Sequence, residues 1–552
     1  MKYNFKINNP QQHFIEISAE FNVNDRSTIS LNLPSWRPGR YELGNFAKNV
    51  KDLIVKDNLG SNLNFTKTTK DQWLVNTAGV DTVIVTYFYY ANELNAGSTY
   101  LDENQLYVNP INCCLFDATS IDDECNIHLN LPNDYTVATS LKHIIGNHFK
   151  AANFHELVDS PFICSNSLKE YQYTSSGVVF YLCFQGEVKP DWKLLIDDFK
   201  KFTDYQIEKF GSFPVKEYYF LFQITPYQAY HGVEHQRSTV ILLGPSYDVF
   251  KQKYNSLLGV SSHELYHTWN VKGIRPKDML PYDYCKENYT QMGYVTEGVT
   301  TYMGDRILFE SNVFSIKQYF KELETLLLRH FHNDGRKHYS LSASSFDTWL
   351  DGYVAGAPGR KVSIYVEGAL VALICDARIR KQTNNDFTLH DVIREMYSGS
   401  SKVIGYDRQS YQNLLEKISG ASFDDIFNDL IYGTKDFNSY LKEAFDFYNW
   451  TFLQEPSENK IWNYGVKVNW VNGSFKVFNV LEGGSGANSG LVIDDKIHSV
   501  NGFKLNNDLN KWLEYFQNDE IVISFERTGE LKRLVLCSPN NNQYYNYKML
   551  NN

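Results

Sequence analysis

The sequence predicts a multidomain α+β protein: an N-terminal β-sandwich over residues 1–165, a mainly helical α+β domain over 166–455, a small β-rich domain over 456–540 and a tail at 541–552. Three observations predict it. At 552 residues the chain exceeds what one core organises. Its hydrophobic content of 43% is enough to fill several. Its texture changes twice, from period-two alternation to the 3.6-residue spacing of helices and back again.

The first segment runs through FIEISAEF, DQWLV and TVIVTYFYY with turn residues between them, the pattern of an antiparallel sandwich. An aromatic share of 15% suits such pleated, half-buried surfaces. Near residue 190, WKLLIDDFKKFTDYQIEKF has the spacing of an amphipathic helix. A strand pair, YYFLFQI and STVILLG, follows, and helices dominate from there to about residue 450. The longest apolar run, GALVALIC at 368–375, reads as one buried helix and falls far short of a membrane span. In the third segment SGANSGLVIDDKIHSVNG gives a turn, a small-residue helix start, Gly490 and Leu491, then Asp495, Ile497 and the closing turn Asn501-Gly502.

A formal charge of -11 repels phosphate backbones, and no run of Lys and Arg offsets it, which argues against nucleic acid as a partner. The segment MKYNFKINNP lacks an apolar signal core and enters alternation at once. The chain as written therefore reads as cytoplasmic, with a periplasmic or secreted location open to a chain trimmed of its leader. The sequence carries no signal for or against self-association. Eight cysteines with no CxxC pair read as reduced, mostly buried thiols rather than a thiolate metal site.

The chemistry concentrates in SSHELYHTWN at 261–270. In random order this composition yields HxxxH with an acid beside the first His about 0.04 times per chain, so the surroundings must strengthen the case. The flanking YNSLLGV and the chain up to Gly273 and Pro276 predict one helix, which puts His263 and His267 a turn apart on one face. Two imidazoles so spaced can share a zinc ion, while Glu264 is placed to take a proton from a metal-bound water. A catalytic site needs a third protein ligand. Glu297 in VTEGVTTYMGDRILF, a carboxylate opening a second helix, completes a His, His, Glu set. Thr301 and Asp305 share that helix, and Asp305 is the candidate partner for an imidazole. By contrast His330, His332 and His338 in RHFHNDGRKHYS lack a helical pair and a partner acid, and read as solvated loop histidines.

These residues carry a family resemblance. PSWRPGRYELGNFAKNV at 34–50, SSHELYHTWNVKGIRP, TEGVTTYMGD and the carboxy-terminal pattern together resemble the PDZ-containing glycyl aminopeptidases, gluzincin zinc metallopeptidases of family sixty-one. The resemblance covers nearly the whole chain. It implies a thermolysin-like catalytic domain behind the sandwich and a PDZ domain at 456–540. It also implies one catalytic Zn2+ and hydrolysis at the amino terminus of peptides, with small first residues such as Gly or Ala preferred.

The resemblance points to further residues. YHGVEHQRSTV at 230–240 is similar to the family's GGxEH stretch, which implies that Glu234 pairs with the substrate ammonium and leaves little room upstream of it. Gly232 would present backbone to the peptide as an added strand, with His235 beside it. His231 stands where the family has glycine, and Gln236 where it often has arginine. SIYVEGALVALICDARIR is similar to a YxKG segment, which gives Tyr365 the oxyanion, with Glu367 in place of the lysine. Tyr464, Gly465 and Val466 would form the PDZ loop that captures a C-terminal peptide carboxylate. The alternatives are an endopeptidase of the same chemistry, recruiting substrates through the PDZ domain, and a non-catalytic PDZ scaffold.

Overall fold

The alternation that opens the chain becomes the strand Lys2–Asn9, with Tyr3 and Phe5 turned inward and Lys2 and Asn4 outward. In this computed structural model, which describes residues 1–354, 356–399 and 401–552, that strand lies inside a seven-stranded sheet. Two four-stranded sheets accompany it, and residues of all three share one core that includes Phe5, Ile17, Leu31, Val75, Leu106 and Phe162. The expected antiparallel pattern has an exception, because Lys2–Asn9 pairs in parallel with Cys125–Asn130. All eight cysteines are free, six of them buried and Cys285 and Cys537 exposed.

A five-stranded mixed sheet follows: β1 (Lys169–Ser175), β2 (Val178–Gly186), β3 (Glu217–Ile224), β4 (Ala229–Glu234) and β5 (Ser238–Gly244), in the order β1-β2-β3-β5-β4. The apolar runs expected as a strand pair, β3 and β5, are parallel neighbours. The more polar β4 between them in sequence folds back antiparallel to β5 and forms the sheet edge. β1 and β2 fill the stretch between the strands that end near 165 and the helix near 190, where the sequence pattern predicts no element. Tyr107, Ala138 and Ile163 of the first segment pack against Cys183, Leu221, Val233 and Val240 of this sheet.

Four helices matter to the site. α1 (Trp192–Phe210) starts where the Asp191 carboxylate accepts from the Leu194 N–H, and it stops at Gly211, whose φ of 81° suits glycine. α2 (Tyr254–Tyr266), α3 (Thr300–Glu310) and α4 (Val366–Gln382) carry the candidate chemistry. α4 contains the GALVALIC run and is buried on nearly every side. Among the described residues no helix is long and apolar enough to cross a membrane.

The chain resolves into two compact units, one of residues 1–319, 340–355 and 363–435, the other of 320–339, 356–362 and 436–552. In the second, the strands Val466–Val471, Ser474–Val480, Lys496–Val500, Val522–Arg527 and Glu530–Val535 form a sheet with Val466–Val471 at its edge. The short helices Ser485–Asn488 and Leu509–Tyr515 accompany it. Asp495 is buried and takes two hydrogen bonds of 2.8 Å from Arg527. Residues 541–552, expected as a tail, instead contain the strand Tyr545–Asn551, antiparallel to Trp450–Pro456.

The histidine cluster of this unit also departs from expectation. His330 is fully buried, with its ring 4.8 Å from that of Phe437. His332 bonds to the Tyr545 carbonyl at 2.8 Å, and burial lowers its pKa to about 4. Only His338 is exposed. The polar letters around these histidines concealed an apolar helix face.

Candidate active site

α2 delivers the paired imidazoles. It ends at Tyr266, earlier than expected, and His267 closes it with helical angles of φ −60° and ψ −21°. The chain leaves the helical path because the Asn270 amide turns inward, donating to the Val295 carbonyl at 2.8 Å and to Thr300 Oγ1 at 3.0 Å. The Asn270 carbonyl in turn accepts from His267 Nδ1–H at 3.0 Å. That bond keeps a proton on Nδ1 and makes Nε2 the atom that can turn to a metal. Asn270, rather than Thr301 or Asp305, is thus the partner of His267; Asp305 lies 3.7 Å from where a Cβ on Gly259 would stand, a turn before His263.

Glu297 does not open α3 directly. It sits in a wider π-helical turn, Tyr294–Val299, whose six residues are all buried and which runs on into α3. Two glycines bring this turn close to its neighbours. A Cβ on Gly304 would lie 3.1 to 3.2 Å from the backbone and Cβ of His263, so α3 and α2 cross at near contact. Gly298 and Gly368 stand back to back, which presses the turn against α4. Side chains larger than hydrogen at these crossings would separate the elements that carry the donors.

The resulting donor atoms converge. His263 Nε2 and His267 Nε2 are 3.1 Å apart, and Glu297 Oε2 lies 3.8 Å from the first and 3.4 Å from the second. A tetrahedral metal with bonds of about 2.0–2.1 Å holds its ligands about 3.4 Å apart, so the set fits an ion such as zinc. Burial works against a charged His267, yet Glu297 beside it holds its pKa up at about 10. Burial and the neighbouring His267 push His263 well below the ordinary imidazole value.

Glu264 is buried next to these donors, and its Oε2 has no hydrogen-bond partner among the described residues. Burial first, and the carboxylates of Glu234 and Glu297 next, raise its pKa well above the usual range. Oxygens of Glu234 and Glu264 and a nitrogen of His267 lie within 4.8 Å of one another. β4 reaches this point only because residue 232 is glycine: a Cβ there would collide with Glu264. At the end of β4 the Glu234 carboxylate is buried under Gly39, whose φ of 78° and missing side chain let the loop of 34–41 close over it.

The other residues at and just after the end of β4 are used differently. His235 bonds through Nδ1 to Asp159 at 3.1 Å, and Asp159 also holds the buried Lys272 at 2.7 Å. His235 therefore belongs to a cavity of about 420 Å3 bordered by Glu234, Arg37, Lys272 and Arg275. His231 accepts a bond of 3.2 Å from the Ala96 N–H. Burial, with Arg37 and Arg40 nearby, lowers the His231 pKa to about 3 and keeps the ring neutral. The departure at 231 faces Ala96 of the first segment, on the opposite side of β4 from Glu264. Gln236 donates to the Thr268 carbonyl at 3.2 Å.

Tyr365 precedes α4 as its N-cap. Burial, then the charges of Glu297 and other neighbours, raise its pKa well above 10.0, so the phenol keeps its proton. Glu367 is buried in the first turn of the same helix. In the second unit Tyr464 is buried, Gly465 has φ 69°, and Val466 begins the edge strand. The Gly465 N–H is already donated to Trp462 O at 2.9 Å.

Like Asn270, a further residue of the site escaped sequence reasoning. Tyr41, buried, donates its hydroxyl to Glu297 Oε1 at 3.2 Å. The segment around it, PSWRPGRYELG, was conspicuous as a motif, but no spacing rule connects position 41 to position 297.

Comparisons with known proteins agree with this architecture. The family model described as the Peptidase M61 N-terminal domain matches residues 2–166, and the one described as M61 glycyl aminopeptidase matches residues 256–371. Among solved structures, the chain is similar to an aminopeptidase N family protein from Idiomarina loihiensis, with a TM-score of 0.92 and 26% identity over 99% of this chain and 97% of that one. An M1 zinc metallopeptidase from Deinococcus radiodurans aligns more distantly, with a TM-score of 0.47 and 11% identity over 81% of this chain and 92% of that one. No curated protein matches the chain. Two models of one family, matching residues 2–166 and 256–371, identify the chain as a peptidase of the M61 glycyl aminopeptidase family.

Proposed function

We propose that this peptidase is a zinc aminopeptidase that releases a small first residue, Gly or Ala, from peptides. The observation that carries the reading is the 3.1 to 3.8 Å separation of the three donor atoms on His263, His267 and Glu297, which suits a single tetrahedral ion. Zinc bound there supplies a Lewis acid that acidifies water and polarises the scissile carbonyl.

The chain's own groups do the rest. Glu264, its basicity raised by burial, takes the proton of the attacking water and passes it to the leaving amine. The protonated Tyr365 donates to the oxyanion. Glu234 pairs with the substrate ammonium, while the open edge of β4 accepts the peptide backbone as an added strand. Gly39 closing over Glu234 and the family's description as a glycyl aminopeptidase both support a small first residue.

The segment 456–540 is read in the same way as a PDZ module, on the strength of its edge strand Val466–Val471 and the helix Leu509–Tyr515. A peptide carboxy terminus is its proposed ligand. The cavity beside Glu234 favours a second reading, an endopeptidase, since it offers room for residues upstream.

Acetylating the amine separates the two. A zinc aminopeptidase cleaves Ala-Ala-Phe-amide and leaves its N-acetyl form nearly untouched, and Glu234→Gln lowers kcat/KM for the free peptide. Equal cleavage of both forms removes the exopeptidase assignment.

A further inference from the structure

β4 is an edge strand, and its alternate residues Glu234, Gly232 and Tyr230 share one face. Gly232 identifies that face as the metal side, because a Cβ there would meet Glu264. The opposite face carries Val233 into a buried cluster with Leu221 and Val240, and His231 toward Ala96. Tyr230 therefore stands on the catalytic face, and it is 61% exposed.

Two points set the direction of a bound peptide, given the aminopeptidase reading above. Its ammonium lies at Glu234, and its scissile bond lies by Glu264, beneath Gly232. Two residues farther along an extended strand is about 6.6 Å. That step leads to Tyr230 on the protein and to the third residue of the peptide. Tyr227 and Tyr247, 52% and 69% exposed, flank the same end of the β4–β5 pair, where Ala229 faces Gly244. Exposed aromatic rings suit an apolar partner, and the Lys253 ammonium at this end is held by Gln228 Oε1 at 2.7 Å and by the Gly244 carbonyl.

We propose that Tyr230 forms the subsite for the third residue of the substrate and selects an apolar or aromatic side chain there. Glycine at that position gives the ring nothing to pack against, and an aromatic residue stacks on it. The inference concerns a specificity-determining residue and leaves the chemistry of the first residue unchanged.

The test compares Ala-Ala-Phe-amide with Ala-Ala-Gly-amide in zinc-loaded, full-length protein. Wild type is expected to favour the Phe peptide in kcat/KM by roughly three- to tenfold. In Tyr230→Ala the ratio falls to about one, and in Tyr230→Phe it is kept. Both peptides are read in one preparation, so loss of active protein cancels from the ratio. Turnover with no third-residue preference in wild type, or with the same ratio in Tyr230→Ala, overturns this inference alone. Absence of turnover of any free peptide overturns the aminopeptidase reading and this inference with it.

Discussion

Tyr41 donates its phenolic hydrogen bond to Glu297 across 3.2 Å, linking the β-rich first segment to the carboxylate that faces the paired imidazoles. An outer hydrogen bond of this kind orients the carboxylate and leaves its second oxygen for a metal. Tyr41→Phe keeps the ring and loses the donor. Zinc affinity, measured by competition with a chelator, is expected to fall about tenfold or more with the fold intact. An unchanged affinity would mean that the bond does not orient Glu297.

Gly298 and Gly368 meet back to back, and the π-helical turn of Glu297 depends on that approach. Gly298→Ala forces the turn away from α4. The expected loss of stability is about 1–3 kcal/mol, read from urea unfolding, with weaker zinc binding alongside. Alanine at Gly529, where nothing lies within 4 Å but φ is 86°, is the contrasting case, in which backbone strain acts without a packing clash.

Asp376 on α4 ties that helix to α3, accepting from Tyr302 at 2.7 Å and from Arg380 at 2.8 Å. Burial pushes its carboxyl up, but Arg380 and Arg306 outweigh burial and hold the pKa at about 2. A folded-state pKa below the unfolded value contributes stability above about pH 4 that is lost as pH falls toward 2. The contribution is about 2 kcal/mol. Urea midpoints measured from pH 6 to pH 3 should therefore fall more steeply in wild type than in Asp376→Asn, and parallel slopes would refute the assignment.

Glu264→Gln removes the proposed base and keeps the side chain's shape. Turnover should drop by about 10²–10⁴-fold. Bound zinc should remain, because Glu264 is not among the three donors. Activity within tenfold of wild type would take Glu264 out of the mechanism.

The parts of this site that were legible in the sequence are those held by local geometry. His263, Glu264 and His267 follow from a helical turn, and Glu297 from the need for a third ligand on a nearby helix. The end of α2 at Tyr266 was not legible, since it depends on Asn270 reaching carbonyls some 25 positions away. Tyr41 was invisible for the same reason, and so were Gly298 and Gly304, whose task appears only when helices cross. The strand pair β3 and β5 was readable from apolar runs, but not the edge strand β4, whose outer side is polar because it faces the cleft. His330 is buried although Arg329, His332 and Asn333 beside it in sequence suggest a solvated loop, because its ring meets Phe437, more than a hundred positions away.

Zinc content tests the central claim most directly. Purified protein, loaded with zinc and dialysed, should hold one ion per chain, as should Glu264→Gln, while Glu297→Gln should hold far less. A wild type that retains no metal after loading, or a Glu297→Gln protein that retains a full equivalent, would contradict the account.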